Sequence, residues 1–275
     1  MLNKIFRNPI DVWPASVIVA LFVALFAIYF YVENVWWMIA ASVVLLPARL
    51  SIVAYNHNHI HSFTFVNPML NRILEVMMFF QTGTTPVSGA LNHVIGHHAN
   101  YFKPEQDTLN WRRPDGSAMG AHEFSIRAAL HHYPSCITLS RGKKTLRRTF
   151  LIYAAICAVL LAAVVIYDPL AATIVFLVPM LMMIYVLKYA AYAHHSGLPI
   201  GDDYTASRTN TGRFYNWLTW NAGYHAAHHF RQALHWSQLP AYHAELAARM
   251  PEELQGKGWG RQLADQRARA RMRTA

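Results

Sequence analysis

Long apolar stretches broken by short polar turns set the rhythm of this chain. Four runs, at 14–32, 35–56, 149–167 and 169–187, are almost free of charge. Each comes close to the ~20 residues that a helix needs to cross about 30 Å of hydrocarbon. They pair into two hairpins, the first turning at Glu33 and Asn34, the second at Asp168. The pattern predicts an all-α integral membrane protein: four transmembrane helices in two hairpins, a cytoplasmic helical cap built from 57–148 and 188–275, and one domain over 1–275. A shorter apolar patch, ILEVMMFF at 73–80, cannot span and reads as an interfacial or re-entrant segment. The start, MLNKIFRNPIDVW, runs into the first apolar stretch without a small-residue cleavage site, so no removable leader is expected.

Composition strengthens the membrane assignment, because 54% of the residues are hydrophobic and only 14% charged, outside the range of ordinary soluble domains. The formal charge of +10 would suit nucleic acid, but no basic stretch is interleaved with a nucleic-acid motif. Topology explains the charge better. No Lys or Arg lies between residues 8 and 48 or between 149 and 187, whereas the flanks hold Lys4, Arg7, RGKKTLRR at 141–148, Lys188 and an arginine-rich tail. By the positive-inside rule, both termini and the 57–148 segment face the cytoplasm. Arg49, late in the second run, either snorkels or faces the protein interior. The tail from Glu245 reads as a basic helix whose Arg267, Arg269, Arg271 and Arg273 form a solvated or headgroup-facing surface. Cys136 and Cys157 give neither a disulfide framework nor a metal pair.

Histidines then change the picture. The chain has 16, against 14 acidic residues. At ~1.5 Å per helical residue, His57 lies roughly 34 Å from Asn34, and His194 roughly 38 Å from Pro169. YNHNHIHS (55–62) and AYAHHSGL (191–198) therefore crown membrane helices at the same interface. LNHVIGHHANYF and GYHAAHHF lie in cytoplasmic segments and can join that layer. His57 and His61 are i and i+4; His93, His97 and His98 are i, i+4 and i+5; His225, His228 and His229 are i, i+3 and i+4. Positions i, i+3 and i+4 share a helix face, and neutral imidazole is the commonest metal-ligating side chain. Eight such nitrogens, with one more from His195 or alternatively His194, exceed one tetrahedral zinc. They suit two metal ions with open coordination positions.

Other histidines are read as structural: His122, His235, His243 and the His131–His132 doublet. His59 falls off the ligand face and is either a support for the ligands or solvent-exposed. Imidazole alone admits Zn, Cu, Fe and Ni. No acidic residue sits inside a cluster, so the carboxylate-bridged di-iron pattern is absent. HNHIH lacks the glutamate of H-E-x-x-H. A metal transporter, the rival from another class, would want ligands at mid-bilayer, yet the first and third runs hold no Asp, Glu, His, Lys or Arg. Glu105, Asp107, Asp202 and Asp203 are candidates to accept the outer N–H of a ligand ring. Asn221 either faces the metals or caps a helix. Tyr101, Phe102, Trp217 and Trp220 either line an acyl tunnel or form an interfacial belt.

With HxxxH, HxxxHH and HxxHH in place, the chain resembles the membrane fatty acid desaturase and hydroxylase superfamily, which carries three histidine boxes on a four-helix membrane core. The resemblance runs from the first hairpin to the third box. Box spacing and HHSGL at 194–198, like HHANYFKPEQD, are similar to the alkane ω-hydroxylase branch, where an extra box reads E-H-Y-G-L. On that match His195 is the ninth ligand and His194 stands at the glutamate. NAGYHAAHH followed by HWSQLP looks more like the third box of bacterial fatty acid desaturases, which implies a bacterial inner membrane. The resemblance implies a non-haem di-iron centre held by His57, His61, His93, His97, His98, His195, His225, His228 and His229, with O2 as co-substrate. The substrate would be a fatty acyl or other lipid chain, attacked at an unactivated C–H bond. Desaturation is expected; hydroxylation and oxidative decarboxylation share its first step, hydrogen-atom abstraction. No dinucleotide fingerprint or iron–sulfur segment is present, so electrons would come from a ferredoxin, rubredoxin or cytochrome-like donor. The basic run with Arg141, Lys143, Lys144, Arg147 and Arg148 is a candidate dock for it.

Overall fold

In the computed structural model, which describes residues 2–199 and 201–256, the apolar runs become helices with polar residues at their starts. α1 covers Val12–Tyr31. Asn34 then caps α2, Val35–Val44, by accepting from the backbone N–H of Trp36 and Trp37. Leu45 and Pro47 interrupt the second run, and α3, Leu46–His61, leaves α2 at a 45° bend. A proline lacks the N–H that would continue the ladder, so a break falls where one smooth span was expected. Asn67 caps α4, Pro68–Thr82, which ends on left-handed Gly83.

Between the two hairpins the chain also forms helices α5, Ala121–Leu130, and α6, His132–Leu139. α7 covers Lys144–Tyr167. After Asp168, α8 (Pro169–Ala172), a π-helical stretch (Thr173–Leu177) and α9 (Val178–His195) run on as one helix, Pro169–His195. Short helices close the fold: α10, Arg213–Leu218; α11, His225–Phe230; α12, Leu239–Leu246. The pairs Thr209–Asn210 and Gln255–Gly256 form a two-strand parallel ladder, the one sheet among the described residues. Among the described residues, three helices are long and apolar enough to cross a membrane, or four if the bent α2–α3 pair is one span. The fourth run extends eight residues beyond its expected end at 187, up to His195.

α7 is the most lipid-like surface, with Val159, Ile166 and Tyr167 open to the outside. The main core lies behind it, where Ile18, Leu25, Ile52, Met78 and Phe176 are sealed between α1, α3, α4 and the α8–α9 rod. Arg49 belongs to this core rather than snorkelling. It is fully buried and donates to the carbonyls of Phe80, Gln81 and Val175. A delocalised guanidinium with five donors suits that task, and here it ties the end of α4 to the π-helical stretch, whose i→i+5 pattern departs from ordinary helix bonding. Cys136 and Cys157 are free and buried.

Two expectations need correction. Beyond α12 the chain does not continue as a helix: 3-10 turns at Ala247–Arg249 and Glu252–Leu254 lead into the short strand. Arg267, Arg269, Arg271 and Arg273 lie outside the described residues. Lys188 is no surface flank either. It is 3% exposed, inside α9, because it follows the interior face of that rod.

Candidate metal centre

Four parts of the chain deliver imidazoles to one place. The last turn of α3 brings His57 and His61. A π-helical turn, Ala90–Ile95, carries His93 and releases into His97 and His98. α9 ends on His194 and His195, and α11 is almost wholly the third cluster. Gly96 permits the second delivery, since a Cβ there would meet the Asn92 carbonyl at 2.5 Å and the Thr108 side chain at 2.6 Å.

Nitrogens sort into two adjoining groups. His57, His61, His93, His98 and His228 offer ring atoms within 4.8 Å of one another, as do His97, His195 and His229. His225 joins the latter, its Nε2 lying 2.8 Å from His195 Nε2 and 3.1 Å from His229 Nε2. Sequence neighbours part company. His97 and His98 are one residue apart, about 100° on a helix, and serve different groups. Within α11, His225 and His229, at i and i+4, meet edge-on with ring centroids 4.7 Å apart, while His228 serves the other group. The groups touch, with His98 and His229 ring centroids 4.5 Å apart.

Hydrogen bonds on the outer edges fix which nitrogen looks inward. His97 Nδ1 lies 2.9 and 3.0 Å from the Asp107 carboxylate oxygens, which can only accept, so Nε2 keeps its lone pair. Nδ1 of His195 donates to the Ala206 carbonyl at 3.3 Å by the same logic. Both nitrogens of His57, Nε2 of His61 and His97, and Nδ1 of His98 are buried without a hydrogen-bond partner among the described residues. Burial, then the neighbouring imidazoles, holds His93, His98, His228 and His229 well below the ordinary imidazole range. His225 is held low by burial and then by His194. Neutral rings with converging, unsatisfied lone pairs are costly in a dry interior. A cation is the group that satisfies them, and the donor set fits nitrogen-ligated transition metals.

Residues 34–258 match the fatty acid desaturase family. The chain belongs to that family. Its members are membrane-bound oxidoreductases acting on lipids, and no curated protein matches the chain. Beside the histidines, this desaturase-family protein has a cavity of about 110 Å³, walled by Leu50, Val53 and Ala54 of α3 and Val186, Leu187 and Ala190 of α9. His57, His93, His194 and His225 open onto it.

The structure separates the remaining expectations. His195 stands with the second group, whereas His194 donates Nδ1–H to the Arg208 carbonyl at 2.8 Å and stacks on His225 at 4.1 Å. Of the four carboxylates considered, Asp107 reaches a ring; Glu105 is exposed, and Asp202 accepts from the backbone of Tyr204 in its own loop. His59 is fully buried, not solvent-exposed, between Thr64 and Glu75. Asn221 takes neither expected role. It adopts φ +61° and donates to the Trp236 carbonyl. His235 and Trp236 both reach Asp11, tying the start of the chain to the loop behind α11. His122 pairs with the Tyr185 hydroxyl, and His243 packs on Tyr224.

Of the two roles open to Tyr101, Phe102, Trp217 and Trp220, lining a tunnel is not met in this cavity, which none of the four lines. Tyr101 covers His97, His195 and His229, Trp220 packs on Trp236, and Phe102 and Trp217 are exposed. His131 and His132 also diverge: the first is exposed, the second buried in the cavity wall. Sequence reasoning missed Lys188 and Asn92 as cavity residues. A signal existed for Lys188, which precedes His195 by seven positions and so shares its face.

Proposed function

We propose that this chain is an O2-dependent di-iron oxidase that removes hydrogen from an unactivated C–H bond of a lipid or fatty acyl chain, introducing a double bond. The observation that carries the reading is the convergence of nine imidazoles, in groups of five and four, on the end of an apolar cavity. His57, His61, His93, His98 and His228 would hold one iron; His97, His195, His225 and His229 would hold the other. When bound, such a pair supplies oxygen activation and an oxidant strong enough for an aliphatic C–H bond.

The chain's own contribution is placement. Asp107 and the Ala206 carbonyl keep Nδ1–H outward on His97 and His195, so their Nε2 atoms stay basic and correctly aimed. α3 and α9 wall the cavity with aliphatic side chains and end in site histidines, so an alkyl chain lying between them is led to the metals and kept from water. We read the chain as one domain with four spans, both termini and the histidine layer on the cytoplasmic side of a bacterial inner membrane. An external ferredoxin, rubredoxin or cytochrome-like protein would deliver electrons.

Purified protein should carry about two irons and take up oxygen only with reductant and lipid. Tight zinc occupancy with metal flux in liposomes would instead favour a transporter. Mass spectrometry of lipids from cells with and without the gene names the reaction. Loss of two hydrogens supports desaturation; gain of one oxygen, or a terminal alkene with carbon dioxide, replaces it with hydroxylation or decarboxylation.

A further inference from the structure

Lys188 has no place in the chemistry above, yet it is buried in the cavity wall. Its ammonium donates to the side-chain oxygen of Asn92. Among the described residues that is its one hydrogen bond, leaving two N–H donors unused. No carboxylate among them lies within ion-pair reach. Asp107 acts on Lys188 from a distance, being engaged by His97 and the Leu109 backbone N–H. Cys136 is no counter-ion, since burial pushes its thiol up to about 12. His132 lines the same cavity with both ring nitrogens buried and without a partner among the described residues, and burial, then the charge of Lys188, keeps it neutral. An ammonium among neutral groups in an apolar pocket is costly unless a negative charge joins it, and an ionisable residue at membrane depth marks a functional site by default.

We propose that Lys188 and His132 form an anion site that receives the carboxylate of an unesterified fatty acid, so that the substrate is a free acid rather than a carrier-bound acyl group. This rests on the oxidase reading. A thioester or ester carbonyl carries no charge to offset the ammonium, and its bulky carrier would remain outside the cavity. A phosphate monoester carries about −1.5 to −2 and would call for a second cation; one ammonium matches one carboxylate. The alkyl chain then lies in the compartment onto which His57, His93 and His225 open.

The test is equilibrium binding to iron-loaded protein in nanodiscs, kept anaerobic and without electron donor, so that no turnover enters. Radiolabelled dodecanoate and palmitate are compared with their methyl esters, their pantetheine thioesters and dodecyl phosphate. The acids should bind at least about tenfold more tightly than the esters, the size of one hydrogen bond to a charged group. Lys188→Met should erase that preference while ester affinity and iron content stay unchanged, and His132→Ala should weaken the acids a few-fold. Equal binding of acid and ester, tighter binding of thioester or phosphate, or an unchanged preference in Lys188→Met overturns the proposal. Should Lys188→Met fail to fold, the wild-type comparison decides alone. Iron content and reductant-dependent oxygen uptake are measured separately, so acid-selective protein without iron would sink the oxidase and leave the anion site standing.

Discussion

Removing the Asp107 carboxylate offers a graded way to probe the centre without touching any of the nine imidazoles. In the His97–Asp107 pair the side chains are 1% and 8% exposed, so solvent does little to weaken the contact. A hydrogen bond to a charged group in such a place contributes about 1.5–3 kcal/mol. In Asp107→Ala, His97 loses the acceptor that fixes its tautomer, and part of the population turns a protonated Nε2 inward. That difference corresponds to a loss of roughly ten- to a hundredfold in metal affinity, the range found for such outer partners. His97 belongs to the group containing His195, His225 and His229, so one iron should weaken while the other holds. The assay is Fe(II) titration against a competing chelator, with stoichiometry by elemental analysis. A half-loaded protein is expected at chelator strengths that leave the wild type with two irons. Full loading at wild-type affinity would refute the link from carboxylate to tautomer to metal; equal loss of both irons would refute the division into two groups.

His228→Ala should abolish turnover and lower bound iron with membrane insertion intact, checked by fractionation and elemental analysis; normal turnover would make the third cluster structural. Gly96→Ala, whose Cβ would lie 2.5 Å from the Asn92 carbonyl, should cost about 1–3 kcal/mol by overpacking. It should also reduce iron loading, read by thermal unfolding and metal content; wild-type values for both would mean the close approach is unimportant. Acid should destabilise the iron-free protein. Because folding lowers the pKa of His93, His98, His225, His228 and His229, the unfolded chain binds more protons just below about pH 6.5. Stability is therefore full above that value and falls as pH drops through it, by up to about 1.4 kcal/mol per pH unit for each ring; denaturant midpoints that stay level from pH 7.5 to 5.5 would contradict this.

Much of this was legible beforehand because its causes are local. Long apolar runs announced α1, α7 and the α8–α9 rod, and spacing of three and four announced the clusters. What was hidden depends on tertiary packing. The bend at Leu45 follows from a proline that helices tolerate in a first turn, so its effect was ambiguous. Lys188 looked like a membrane-edge cation and Arg49 could be read either way, since sequence does not reveal which side of a helix meets lipid. The parting of His97 from His98, and of His228 from its neighbours, needs the π-helical turn and the angle of α11. Asn221 was miscast because its left-handed backbone becomes visible only with the turn formed around Trp236.

One consequence follows from α9 carrying both Lys188 and His195. Seven residues of unbroken helix separate them, about 10 Å along one rod, so the two positions behave as marks on a ruler that bending elsewhere does not lengthen. Regiochemistry would then be counted from the polar end of the substrate, not from its methyl tip. Inserting a single residue between the marks would advance one by ~1.5 Å and swing it ~100°, which predicts lost registration rather than a neighbouring isomer.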